Sequence, residues 1–93
     1  MARHLVVKAR FQRAYDRLSP PEQDLVKKAL RLLQHYLETG HAPGGLGLRK
    51  LGPGVYEFRA GLALRGVYVE EGSVLALALL GSHHEVRRFL KHS

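Results

Sequence analysis

The second half of the chain carries side chains whose types fit chemistry on a phosphate. Arg59 and Arg65 lie in two neighbouring extended segments, and His83 follows a third such segment at the start of a short helix. Arginines can stabilise negative charge that builds on a phosphate, and a histidine can take up or release a proton near neutral pH. Glu57, two residues before Arg59, adds a carboxylate to this group.

Cleavage of RNA by its own 2′-hydroxyl group is a reaction that these residue types fit without a metal ion or other cofactor. The reaction needs a base for the hydroxyl proton, cations for the charge on the phosphorane and an acid for the leaving 5′-oxygen. Because DNA lacks the 2′-hydroxyl group, such chemistry would be specific for RNA. Arg65, His83, Arg59 and Glu57 are therefore candidate catalytic residues.

Each of these residues also has a purely structural interpretation. The arginines could lie on a solvated face of a sheet, Glu57 could simply pair with Arg59, and His83 could only pack near a helix cap. A metal site is not predicted, because His83 and His84 are adjacent rather than four residues apart and the other histidines are scattered. A serine nucleophile is not predicted either, since no serine stands between glycines at a strand-to-helix turn.

The composition indicates one small basic domain with a polyanionic partner. The chain has 93 residues, with 15 Lys and Arg against 8 Asp and Glu, which gives a formal net charge of +7. Such an excess in a short chain points to RNA, DNA or an acidic protein segment as the partner, although a basic surface can also serve only solubility. One domain, 1–93, is expected.

Several classes of protein are excluded or disfavoured by what the sequence lacks. There is no cysteine, which excludes disulfides, thiolate metal sites and cysteine catalysis. No apolar run approaches the roughly 20 residues that a membrane-spanning helix needs, and the first residues do not resemble a signal peptide. We therefore expect a cytoplasmic protein that does not interact with a membrane.

Hydrophobic spacing and capping residues predict two helices near the N-terminus. A short strand at 4–7 is followed by a helix over 8–18. Ser19-Pro20-Pro21-Glu22 then forms a capping box with proline at the first helical position, which predicts a second helix to about Glu38, with Gly40 just beyond its end. A glycine-rich loop is expected over 40–54, without the phosphate-binding glycine motifs.

The rest of the chain predicts an antiparallel meander and a last helix. Strands are expected over 55–60, 62–70 and 73–80, with turns at Gly61 and at 71–72. Alternation along the strands predicts that the large apolar side chains face the two helices, and that Glu57, Arg59 and Arg65 share the other face as a shallow polar groove. A second capping box, from Ser82 to Glu85, predicts a short helix from about His83.

A set of short motifs runs in a fixed order through nearly the whole chain. They are Phe11 to Leu18, a long second helix with Val26 and Leu30, Leu48-x-Lys50-Leu51, Tyr56-Glu57-x-Arg59, Arg65-x-x-Tyr68, and Gly81-x-His83-x-x-Val86. This pattern resembles the RelE/ParE superfamily of toxins from bacterial type II toxin–antitoxin systems. The resemblance implies an α+β fold in which two N-terminal helices pack on a small antiparallel sheet that is followed by a short C-terminal helix.

The resemblance also implies one of two activities. RelE-like members cut mRNA on the ribosome without a metal ion, whereas ParE-like members inhibit DNA gyrase without catalysis. A solitary member that has lost toxicity is a third alternative. The chain has no dense lysine cluster, and no tyrosine follows Tyr68. We favour the RelE-like activity, with mRNA on the ribosome and a cognate acidic antitoxin as partners, and gyrase as the partner in the alternative.

By this resemblance, the matching basic positions acquire expected roles. Arg65 would stabilise the phosphorane with help from Arg59, and His83 would be a general acid or base. The residues expected to bind the RNA are Arg49, Lys50, His84 and Arg87.

Overall fold

The computed structural model describes residues 4–92, and its centre is a five-stranded sheet with the strand order β1-β5-β4-β3-β2. In chain order the elements are β1 (His4–Val7), α1 (Ala9–Asp16), α2 (Pro20–Thr39), β2 (Arg49–Gly52), β3 (Val55–Arg59), β4 (Arg65–Glu71), β5 (Val74–Gly81) and α3 (His83–Lys91). Strands β2 to β5 are antiparallel neighbours, while β1 runs parallel to β5 at the other edge. The predicted α+β fold is confirmed, with one parallel pair added to the antiparallel sheet.

Both capping boxes form as the sequence predicts. At the start of α2, Ser19 Oγ accepts a hydrogen bond from the Glu22 N–H, and the Ser19 N–H donates to Glu22 Oε1 at 3.1 Å. That backbone bond, followed by the bond from the Ser19 hydroxyl, lowers the pKa of the Glu22 carboxyl. The stability that this charged cap contributes is therefore present at neutral pH and is lost as the pH falls through the lowered pKa of Glu22.

Two boundaries of the predicted sheet are wrong. The loop predicted over 40–54 contains the edge strand β2, because its glycine-rich composition hides a short segment that pairs with β3. The strand predicted from Leu62 starts only at Arg65, and Leu62 is 99% exposed in the connection. This connection is a wider turn than predicted, closed by a bond from the Ala60 N–H to the Leu64 carbonyl.

Helices cover both faces of the sheet. The larger apolar cluster joins α1 and α2 to one face of the sheet, through buried residues that include Phe11, Val26, Leu33, Phe58 and Leu77. A smaller cluster on the other face contains Val67, Leu79 and Val86, and it holds α3. The face predicted to be only a shallow polar groove is therefore partly covered by α3.

A register shift in β5 makes the second cluster possible. Val67 pairs with Leu79 and Tyr68 pairs with Leu77, so Ala78 is an extra residue in β5. Such a bulge reverses the alternation of the strand, and it moves Leu79 to the face opposite Leu77. The alternation of the sequence predicts that the large apolar side chains, Leu77 and Leu79 among them, face the two helices, which is wrong for Leu79.

The close contact of Gly66 with Phe58 fixes the centre of the larger cluster. The two residues are cross-strand partners, and Phe58 is fully buried. A Cβ atom built on Gly66 would overlap the ring of Phe58. Only glycine therefore leaves room for this ring beneath α1 and α2.

We expect the substitution Gly66→Ala to lower the free energy of unfolding by about 1–3 kcal/mol, because the added methyl group overpacks the core. Gly52→Ala is the matched control in β2, since its Cβ would meet no atom within 4 Å. Urea denaturation of both variants measures the difference. Equal midpoints for the two variants would contradict the tight packing of Phe58.

Candidate functional site

Three strands bring the candidate arginines into one row at the same end of the sheet. Arg59 at the end of β3 lies opposite Arg65 at the start of β4, and Arg65 lies opposite Gly81 at the end of β5. Directly opposed residues in antiparallel strands have Cα atoms about 4.5–5.5 Å apart. Because His83 follows Gly81 by two residues, the row ends at the first turn of α3.

Arg65 is held in one orientation by the turn that precedes it. Its Nη1 donates hydrogen bonds to the carbonyls of Gly61, Leu62 and Leu64 at 3.3, 3.2 and 3.3 Å. Its Nε lies 3.8 Å from Glu57 Oε1, and only 14% of the Arg65 side chain is exposed. Within residues 4–92 its Nη2 makes no hydrogen bond, so this nitrogen is the part of the guanidinium that can meet a phosphate.

Glu57 is the one charged residue buried in the described part of the chain, at 6% exposure. It lies in β3 on the same face as Arg65, between Arg49 on β2 and Val67 on β4. Its ion-pair partner is Arg65, not Arg59 as one interpretation of the sequence had it. The carboxylate balances the arginine charge where solvent reaches neither group well, and this pairing directs the guanidinium.

Arg59 is exposed but its side chain is supported by the loop before β2. Its backbone N–H donates to the Leu46 carbonyl at 2.8 Å, and Leu46 itself is fully buried. A Cβ on Gly47 would lie 2.8 Å from Arg59 Cγ, so the glycine backbone packs on the aliphatic part of this arginine. Sequence reasoning did not identify Leu46 or Gly47, although an apolar residue between glycines was a signal that the loop is anchored.

His83 and His84 occupy the first turn of α3 and are both exposed. The helix start is fixed by Ser82, whose Oγ accepts from the Glu85 N–H at 3.1 Å, while Glu85 Oε1 accepts from the Ser82 N–H at 3.0 Å. Buried Val86 anchors the same turn. Both histidines therefore lie at a capped helix start, two and three residues beyond Gly81, which pairs with Arg65.

The predicted RNA-binding residues do not all lie on this face. Arg49 lies opposite Glu57 and so belongs to the same face of the sheet as Arg65. Lys50 lies opposite Tyr56 and points to the face that carries α1 and α2. Arg87 lies one turn further along α3 and is exposed.

The described residues contain neither a candidate metal site nor a candidate membrane span. Within residues 4–92 there is no group of three or more histidine, aspartate and glutamate side chains that could hold a metal ion. None of the helices in that range is both long and apolar enough to cross a membrane.

We expect Glu57→Gln to lower the free energy of unfolding by about 2 kcal/mol, because it leaves the largely buried Arg65 charge without its counterion. Glu71→Gln is the matched control, since Glu71 pairs with Lys8 at 3.5 Å where both side chains are about half exposed. That change should cost less than about 1 kcal/mol. Chemical denaturation of both variants decides, and a larger loss for Glu71→Gln would contradict a structural role for the Glu57–Arg65 pair.

Comparison with known proteins relates this arrangement to solved structures rather than to sequences. No family model matches the chain, and no curated protein matches it in sequence. The YoeB dimer from Staphylococcus aureus aligns with a TM-score of 0.68 and 21% identity, over 89% of this chain and 99% of that one. The YoeB/ParE toxin from Agrobacterium tumefaciens aligns with a TM-score of 0.64 and 22% identity, over 86% and 98% of the two chains.

A third match is more distant in sequence and equally close in shape. A mutant of YafQ from E. coli aligns with a TM-score of 0.69 and 14% identity, over 90% of this chain and 97% of that one. YafQ has also been solved in a toxin–antitoxin complex with DinJ, and the S. aureus YoeB in a complex with YefM. The fold that the sequence resemblance implies is thus confirmed, and the chain shares the fold of the solved YoeB and YafQ toxins.

Proposed function

We propose that this protein is the toxin of a type II toxin–antitoxin system and inhibits translation as a RelE-like endonuclease that cuts mRNA on the ribosome. The observation that carries the proposal is the row of Arg59 and Arg65 ending at His83, on a fold shared with YoeB and YafQ toxins. Two cations and an imidazole at one end of the sheet are among the groups that cleavage by the 2′-hydroxyl requires.

In the proposed reaction the 2′-oxygen attacks the adjacent phosphorus and the bond to the 5′-oxygen breaks. The 2′-hydroxyl loses its proton to a base, the 5′-oxygen gains one from an acid, and the product carries a 2′,3′-cyclic phosphate. His83 supplies one of these two proton transfers, because its imidazole is exposed at the end of the row. Arg65, through its Nη2, and Arg59 stabilise the charge that builds on the phosphorane.

Glu57 serves this site as a positioning residue. Its carboxylate is nearly covered and lies beside Arg65 Nε, so it directs the guanidinium rather than meeting RNA. Together with the turn carbonyls it holds Arg65 before substrate binds, which lowers the cost of organising the transition state.

Other basic residues extend the surface along which RNA can bind. Arg49 adds a cation on the same sheet face, while His84 and Arg87 continue from His83 along α3. Lys50 can contribute only where RNA passes round the edge strand β2, because it points to the opposite face.

The substitution His83→Ala tests the proposal directly. We expect mRNA cleavage on ribosomes to fall about 100-fold or more, as for loss of a general acid or base. His35→Ala is the matched control, because His35 is an exposed histidine on α2, away from the row. Cleavage is measured by mapping the ends of mRNA from ribosomes incubated with each purified variant, and the ends should be cyclic or 3′-phosphates.

The outcomes separate the proposed activity from its alternatives. Equal cleavage by the His83 and His35 variants would overturn the role of His83. Growth arrest on expression with intact mRNA and with gyrase trapped on DNA would instead identify a ParE-like inhibitor. Absence of any arrest would identify a family member without toxicity.

The proposed partner is a small acidic antitoxin that neutralises the toxin. The support is the +7 charge of the chain and the solved complexes of the similar toxins YafQ and YoeB with DinJ and YefM. An acidic segment that is disordered when free could fold over this small basic target and cover the arginine row.

Association with the acidic product of a neighbouring reading frame should slow as salt increases, because opposite charges steer the encounter. Stopped-flow measurements across a salt series give the rate. A rate that does not change with salt, or no complex at micromolar concentrations, would contradict an acidic antitoxin.

A further inference from the structure

The outward side of α3 carries an uninterrupted line of basic side chains. His84, Arg87, Arg88 and Lys91 follow the i, i+3, i+4, i+7 spacing of one helix face, and all four are exposed. Over seven residues a helix rises about 10 Å, so these side chains form a continuous cationic strip. We call these four residues the α3 strip.

The charge of the α3 strip is not neutralised within residues 4–92. No ion pair links any of its members to an acidic residue in that range. The acidic residue of α3 is Glu85, and its Oε1 accepts the Ser82 N–H at 3.0 Å as part of the helix cap. The strip therefore presents its positive charge to solvent, unlike the outer face of α2, where Asp24 lies about one turn before Lys27 and Lys28.

The strip borders a shallow open groove. The residues that line it are His84, Arg87, Arg88, Leu90, Lys91 and His92. Leu90 is the sole aliphatic member and is itself packed into the smaller apolar cluster. The groove thus offers charge and hydrogen-bond donors beside the methylene stems of its long side chains.

Packing fixes the direction in which the strip faces. The inner side of α3, with Val86, packs against Val67 and Leu79 on the sheet. The strip therefore faces away from the sheet, yet it begins at His84, next to His83 at the end of the arginine row. A polyanion bound along the strip would lead towards the row without occupying it.

We propose that the α3 strip is a docking surface for the phosphate backbone of folded RNA, separate from the groups that act on the scissile phosphate. This inference rests on the proposed action on RNA and adds the surface that holds the RNA-containing target. Regularly spaced cations suit a run of phosphates, and arginine binds phosphate through paired N–H groups. An acidic peptide that folds on binding gains affinity from apolar side chains set in pockets, and Leu90, the one aliphatic member of the groove, is already packed into the smaller apolar cluster.

The test compares two variants of the full chain that lose the same charge. One replaces the strip cations, as Arg87→Gln, Arg88→Gln and Lys91→Gln. The other is the matched control on exposed positions of α2, as Lys27→Gln, Lys28→Gln and Arg31→Gln. Each lowers the formal net charge by 3, from +7 to +4.

Fluorescence anisotropy with a short labelled RNA duplex measures the affinity across a salt series. Each lost phosphate contact lowers the slope of log affinity against log salt by roughly 0.7–0.9. We expect the slope to fall by about 2 or more for the strip variant and by less than about 1 for the α2 variant. The variant with Arg87→Lys and Arg88→Lys should keep the slope, because it keeps the charge.

Three outcomes would overturn the docking surface. Equal slopes for the two neutralised variants would mean that only net charge matters. Loss of slope in the lysine variant would point to disturbed folding rather than to lost phosphate contacts. Unchanged RNA binding by the strip variant, together with weakened binding of a polyglutamate peptide, would assign the strip to an acidic protein. The anisotropy experiment measures RNA binding and not cleavage. If the separate cleavage assay finds no nuclease activity, the proposed function is refuted, but the measured effect of the α3 strip on RNA binding still holds.

Discussion

The extra residue in β5 is the constraint on which the rest of the structure depends. With regular alternation, Leu77 and Leu79 would both face α1 and α2, and Leu80, which the structure buries in the larger cluster, would face α3 instead. The bulge at Ala78 turns Leu79 to the other face, where it packs with Val67 and Val86. A small domain has little core to spare, and this shift lets one strand serve both apolar clusters.

The capping residues allowed the starts of α2 and α3 to be predicted from the sequence. The alternation along the strands predicted the faces of the sheet only in part. Ser19 and Ser82 start α2 and α3 where their motifs predicted, because a capping box satisfies backbone groups locally. The bulge at Ala78 was not predictable, because it is set by contacts between residues far apart in the chain. The strand β2 was missed for a related reason, since its pairing with β3 outweighs its weak strand propensity.

The residue types of the candidate site could be predicted from the sequence, but the pairing of its side chains could be predicted less well. Alternation separates the two faces within each strand, and the register that pairs Arg59 with Arg65 places both on one face, as predicted. The partner of Glu57 depends on strand register, and so the sequence offered the nearby Arg59 where the structure has Arg65. Lys50 follows Arg49 directly and necessarily points to the other face once both lie in a strand.

Arg65 has a structural role in the turn, and in the proposed reaction the same side chain would also serve the chemistry. The same guanidinium closes the turn between β3 and β4 and pairs with Glu57, while one nitrogen stays available. A cation fixed in this way does not need to be ordered when charge develops on a phosphate. The exposed cations of the α3 strip, by contrast, must lose side-chain entropy when they bind a phosphate. The two basic surfaces therefore differ physically. The rigid one suits a transition state of defined geometry, and the mobile one suits a backbone of phosphates whose exact path can vary.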